Sequence, residues 1–82
     1  MSECVSDAYT VARKHGFTDS LELITDNGGS LKNLYGNHWN GELSIAISCS
    51  REDGTASYAV TGYDNDETWK MMDEIGDTYR KL

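Results

Sequence analysis

No proline occurs anywhere in this 82-residue chain, there are two cysteines and one phenylalanine, and basic residues are scarce. No apolar run approaches the ~18 residues that a membrane-crossing helix needs. Nothing marks a linker, a repeat or a low-complexity tract. The first residues, Met1-Ser2-Glu3-Cys4, lack the basic and apolar stretches of an export signal. With no such signal visible, Cys4 and Cys49 are expected to be reduced thiols in a cytosol. A Cys4–Cys49 disulfide is the alternative if a leader has been removed.

Seven Lys and Arg oppose fourteen Asp and Glu, a formal charge of -7. A field of that sign repels phosphate, which excludes a general binder of nucleic acid or of anionic membranes. The matching partner is basic: a cationic surface of another protein, including one that normally holds DNA or RNA. Acidity that merely keeps a small protein in solution is the competing explanation. The hydrophobic fraction is 38%, enough for one core, and residues 1–82 are expected to form one domain. So short a chain buries roughly 60% of its unfolded surface, which leaves little for an enclosed ligand cavity.

Catalytic and metal motifs are missing too. Neither G-x-x-x-x-G-K-[ST] nor G-x-G-x-x-G occurs. Cys4, His15, His38 and Cys49 are potential zinc ligands, but none forms a pair at the short spacing that structural zinc sites use. Two small thiols in apolar surroundings and two surface imidazoles are the simpler reading. Counted as a calcium loop from Asp64, the sixth and twelfth positions hold Trp69 and Ile75 instead of Gly and Glu. Cys49 and His38 would have to meet in space to form a nucleophile and its base. Cys49 instead continues the apolar face of a strand. No enzymatic activity, metal or cofactor is therefore expected.

The residues present point to an α+β fold. Val5, Ala8, Tyr9 and Ala12 follow helical spacing, with Ser2 as N-cap and Gly16 closing the helix before Phe17. Residues 20–25 alternate as a short strand, and Asp26-Asn27-Gly28-Gly29 reads as a turn. The pattern fails over residues 30–41: Leu31, Leu34 and Tyr35 fit a turn of helix or a ragged strand, and residues 36–41 have loop chemistry. Residues 42–49 form the clearest strand, with Leu43, Ile45, Ile47 and Cys49 on one face. After a polar tip, residues 56–63 return as its hairpin partner. Asp64 then caps a second helix, with Glu67 three residues on and Trp69, Met72, Ile75 (or Gly76), Tyr79 and Leu82 as its apolar stripe. The expected layout is a small antiparallel sheet containing a β-hairpin, covered on one face by N-terminal and C-terminal helices.

Two surfaces stand out. Residues 35–41 gather Tyr35, His38 and Trp39 among amides and glycines, the composition of a binding loop. The competing role for Trp39 is to plug the end of the core. The last helix projects Asp73, Glu74 and Asp77 outward with Lys70 and Lys81. With Asp64, Asp66 and Glu67 it places six carboxylates in fourteen residues. Like charges four residues apart destabilise a helix by roughly 0.2–0.5 kcal/mol, so stability does not call for them. A solvated face is the plain alternative.

The favoured expectation is a small acidic protein-binding module, an inhibitor or regulator. It would present the last helix, the Trp39 loop and the hairpin tip with Glu52 and Asp53. In size, charge and layout it is similar to the small acidic inhibitors that phages direct at host defence or nucleic-acid enzymes. A homo-oligomeric accessory protein pairing through the strand at residues 56–63 is a second possibility. A small-ligand binder or minor enzyme with a pocket near His38, Trp39 and Cys49 is a third.

Overall fold

The computed structural model describes residues 2–50 and 55–82. Helix α1 (Ser2–Lys14) leads into strand β1 (Asp19–Asp26). A 3-10 turn at Asn27–Gly29 connects it to β2 (Leu31–Asn37), then β3 (Leu43–Ser50), β4 (Thr55–Gly62) and α2 (Asn65–Arg80). The four strands form one antiparallel sheet in chain order, β1-β2-β3-β4, so each pairs with its neighbour in sequence. The α+β layout with helices on one face is as expected. The hairpin tip with Glu52 and Asp53 lies outside the described residues.

Alternation along β3 decides which face is buried. Leu43, Ile45, Ile47 and Cys49 point inward and are almost fully enclosed, and Leu34 and Val60 join them from β2 and β4. Helix α1 contributes Ala8, Val11 and Ala12; the last two have no exposure. Helix α2 contributes Ile75, with Met71, Met72 and Tyr79 packed around it. Helix α1 lies over β2 and β3, and α2 lies over β4.

The opposite face is open. Across the strands its rows read Asp26, Leu31, Ser50; then Ile24, Asn33, Ser48, Ser57; then Glu22, Tyr35, Ala46, Ala59; then Asp19, Asn37, Ser44, Thr61. Ser48 donates a hydrogen bond to Asn33 and Ser44 donates one to Asn37, so two cross-strand pairs already satisfy each other.

Four sequence expectations change. Residues 31–37 form a regular strand, where a broken pattern with a loop from residue 36 was expected. This segment runs between two neighbours that take up its backbone groups, so pairing overrides weak alternation. Gly36 fits because a Cβ there would stand 2.7 Å from Leu21 Cδ2. Trp69 and Leu82 leave the apolar stripe: Trp69 is 64% exposed and Leu82 is exposed beyond the helix end. Steps of three residues fall short of full turns by about 60° each, which carries Trp69 away from the line through Ile75. His38 is buried instead of lying at the surface.

The fourth change concerns the cysteines, expected as reduced thiols and found as a Cys4–Cys49 disulfide. Cys4 lies one helical turn before Ala8 on the buried side of α1, directly above the end of β3. Both thiols were destined for the core, and the fold brings them together. The thiol-based ground for expecting a reducing cytosol falls with this pairing.

Two stability outcomes follow. Closing a loop with a sequence separation of 45 is worth about 4 kcal/mol in the chain-entropy account. Reduction, or Cys49→Ser, should lower the urea midpoint by the equivalent of about 2–4 kcal/mol, and the non-reduced protein should titrate no free thiol. Tyr79 stacks on Tyr58, ring centroids 5.7 Å apart. Its hydroxyl is buried without a hydrogen-bond partner among the described residues, and burial, aided by Asp7 and Tyr58, raises its pKa. Tyr79→Phe removes that unsatisfied group, so the unfolding free energy should stay the same or rise by up to about 1 kcal/mol.

Candidate functional site

One end of the domain collects most of the polar chemistry, and it is assembled around a helix stop. Helix α1 ends where Gly16 adopts φ +88. The Phe17 amide then donates back to the Ala12 carbonyl at 2.9 Å, and the Gly16 amide donates to Arg13. This closure drops Phe17 into the core. The ring of His38 meets Phe17 edge-on at 5.3 Å between centroids. His38 is 8% exposed, so it is the imidazole that plugs this end of the core.

Trp39 does not plug the core. Its amide donates to the Gly16 carbonyl at 3.0 Å, but its side chain is 73% exposed. Position 16 must be glycine twice over: its φ is left-handed, and a Cβ would meet His38 Nε2 at 2.6 Å. His38 is held in turn by its own loop. Its amide donates to the Leu43 carbonyl, and Nδ1 accepts from the Asn40 amide at 3.2 Å, which leaves the proton of a neutral ring on Nε2.

Helix α2 passes beside this loop. Asp64 caps it, its carboxylate accepting from the Glu67 amide at 3.1 Å. Glu67, Lys70, Met71 and Glu74 line one flank of a groove of about 200 Å³, with His38, Asn40 and Leu43 on the other. Leu43 and Met71 give the groove apolar lining, and Glu67 and Glu74 place carboxylates seven residues apart with Lys70 between them. Among the described residues neither Glu67 nor Glu74 is in an ion pair; the pair that forms joins Arg80 to Asp77, both largely exposed.

His15 sits at the junction of the helices. Its Nε2 lies 2.7 Å from the Thr78 hydroxyl, which donates its single proton to the Glu74 carbonyl. Nε2 must therefore be the donor to Thr78. Burial is the main influence on this ring and lowers its pKa, Glu74 opposes that, and Lys14 adds to it.

The candidate residues thus divide. Asp64, Asp66, Glu67, Asp73, Glu74 and Asp77 are all exposed on or beside α2. His38 and Trp39 belong to the adjoining loop, so the fold brings these two groups together. Tyr35 stands apart on the open face of the sheet. Cys49 and His38 do not meet: five residues of β3 separate Cys49 from Ser44, the partner of Asn37, roughly 16 Å at strand rise. Among the described residues no group of three or more His, Cys, Asp or Glu is placed to hold a metal ion, and no helix is long and apolar enough to cross a membrane. The exposed Trp69 and the groove residue Met71 were missed from sequence; a helical-wheel angle, instead of an i, i+3 count, separates them. The chain matches no protein-family model, no curated protein and no solved structure.

The His15 linkage has a defined sign. Its folded pKa lies below the usual 6.5, so the unfolded chain takes up the proton first as pH falls. The contribution is full above 6.5 and is lost as pH drops from there through the lowered folded value. Urea unfolding from about pH 8 to about pH 5 should show a loss of stability that His15→Gln lacks. Glu74→Gln should steepen it, because the favourable charge is gone.

Proposed function

We propose that this chain is a small protein-binding module, an inhibitor or regulator, that engages a basic surface of another protein through α2 and the adjoining Trp39 loop. One observation carries the reading. Six carboxylates, Asp64, Asp66, Glu67, Asp73, Glu74 and Asp77, are exposed on or beside one helix, and the loop that shares a groove with that helix carries a tryptophan that is 73% exposed. Three of these charges stand where helix capping does not call for them. Asp64 caps the helix and Asp66 and Glu67 sit favourably in its first turn. Asp73, Glu74 and Asp77 stand in the second half, away from that favourable end, and among the described residues only Asp77 of the three is ion-paired, with Arg80.

The groove suits a basic anchor. An Arg or Lys stem would lie along Leu43 and Met71 and bring its cationic head to Glu67 or Glu74. Trp39 offers rigid aromatic area next to it, as at energetic centres of interfaces. A partner surface of this charge is one that otherwise holds phosphates, so the module would compete with nucleic acid for it. The small acidic inhibitors that phages direct at host defence or nucleic-acid enzymes are similar in size, charge and layout.

Capture from host lysate at low and high ionic strength, read by mass spectrometry, tests the reading. One stoichiometric protein should be retained, weakened by salt, and released by combined Asp73→Asn, Glu74→Gln and Asp77→Asn. That variant keeps its fold, since relieving the Asp73–Asp77 repulsion gains roughly 0.2–0.5 kcal/mol against the loss of the exposed Asp77–Arg80 pair, worth about 0–1 kcal/mol. Trp39→Ala should cost the complex about 2 kcal/mol. A partner indifferent to salt and to the triple variant removes α2 from the interface, and no partner at either salt sinks the proposal.

A further inference from the structure

The open face of the sheet differs from the rest of the surface in charge. Charged residues make up 26% of the chain, yet the outward positions of β2, β3 and β4 named above contain none. Asp19, Glu22 and Asp26 lie at the margin, on the edge strand β1. Interface centres are depleted of charge in this way, with charged groups left to the rim.

Relief on this face is self-complementary. Tyr35 is 42% exposed and shares a cross-strand row with Ala46 and Ala59. A knob thus stands beside a shelf of methyl groups. A two-fold axis through this row would set each tyrosine ring on the alanine shelf of the other copy, the reciprocal contact that an isologous interface requires. The hydrogen-bonded pairs Asn33–Ser48 and Asn37–Ser44 lessen the cost of taking their polar groups out of water.

We propose that this face is a homodimer interface, occupied by a second copy of the chain. A charge of -7 on each copy does not bar that occupant. The helices cover the far side of each sheet, so the two α2 faces would lie roughly 30 Å apart at a sheet spacing near 10 Å. That distance is several times the ~8 Å Debye length at physiological salt. Four strands about 4.8 Å apart and seven or eight residues long offer roughly 500 Å² per copy. A pair would bury about 1,000 Å², the lower limit for a specific interface. Association is accordingly weak and concentration-dependent.

Sedimentation velocity over about 5–500 µM decides the matter. The wild-type sedimentation coefficient should rise from the monomer towards the dimer value. Ala59→Lys places a charge on the shelf, and Tyr35→Ala removes the knob. Each should weaken self-association at least ~10-fold; Ala59→Lys points outward on an exposed strand and should keep the wild-type circular dichroism and melting temperature. Neutralising Asp73, Glu74 and Asp77 should leave the dimer unchanged, which separates this interface from the one on α2. A wild type monomeric throughout, a dimer indifferent to both sheet variants, or a dimer abolished by the helix variant would each overturn the proposal.

Discussion

The apolar face of β3 is the constraint on which the rest depends. This chain has enough hydrophobic side chains to cover one side of a sheet and no more. Leu43, Ile45, Ile47 and Cys49 commit β3 to that side. Because side chains alternate along a strand, the same commitment sends Ser44, Ala46 and Ser48 to the other. Both helices must then lie on the Leu43–Cys49 side, since only there can Val11 and Ile75 leave water. The open face follows from this one-sided supply of apolar surface.

The same constraint governs the polar end. A core only one layer deep needs its end stopped, and the Gly16 reversal brings Phe17 and His38 to do it. With an imidazole filling that position, Trp39 is left outside, on the loop whose His38 and Asn40 line the groove beside α2. Asp73 and Glu74 are surplus to folding, Leu43 and Met71 give the groove beside α2 apolar lining, and Trp39 is exposed. Association with something cationic is the chemistry that all three features share. The sheet face has the opposite character, neutral and of low relief. The two surfaces lie on opposite layers of the domain, so use of one does not preclude use of the other.

Much of the architecture was legible in local signals. Helix α1, its glycine stop, strand β3, the return strand β4 and the Asp64 cap each rest on interactions within a few residues. Such interactions act on any chain that contains them. The failures share the opposite property. Strand β2 carries little alternation of its own and exists because β1 and β3 flank it. Trp69 has the composition of a core residue but stands at the wrong angle around its helix. Cys4 and Cys49 read correctly as core-facing, yet their pairing depends on which end of β3 the first turn of α1 overlies.

The sequence by itself determined the class of fold, the buried face of the central hairpin and the excess of acid on the last helix. Periodicity, capping and charge are properties of neighbours along the chain. Only the tertiary structure decided that His38 goes in while Trp39 stays out, that Glu67 and Glu74 share a groove with the 38–40 loop, and that Tyr35 belongs to another surface. These outcomes depend on which elements pack together and on the space left where they meet. That space is set by the summed volumes of side chains distant in sequence, which no local pattern encodes.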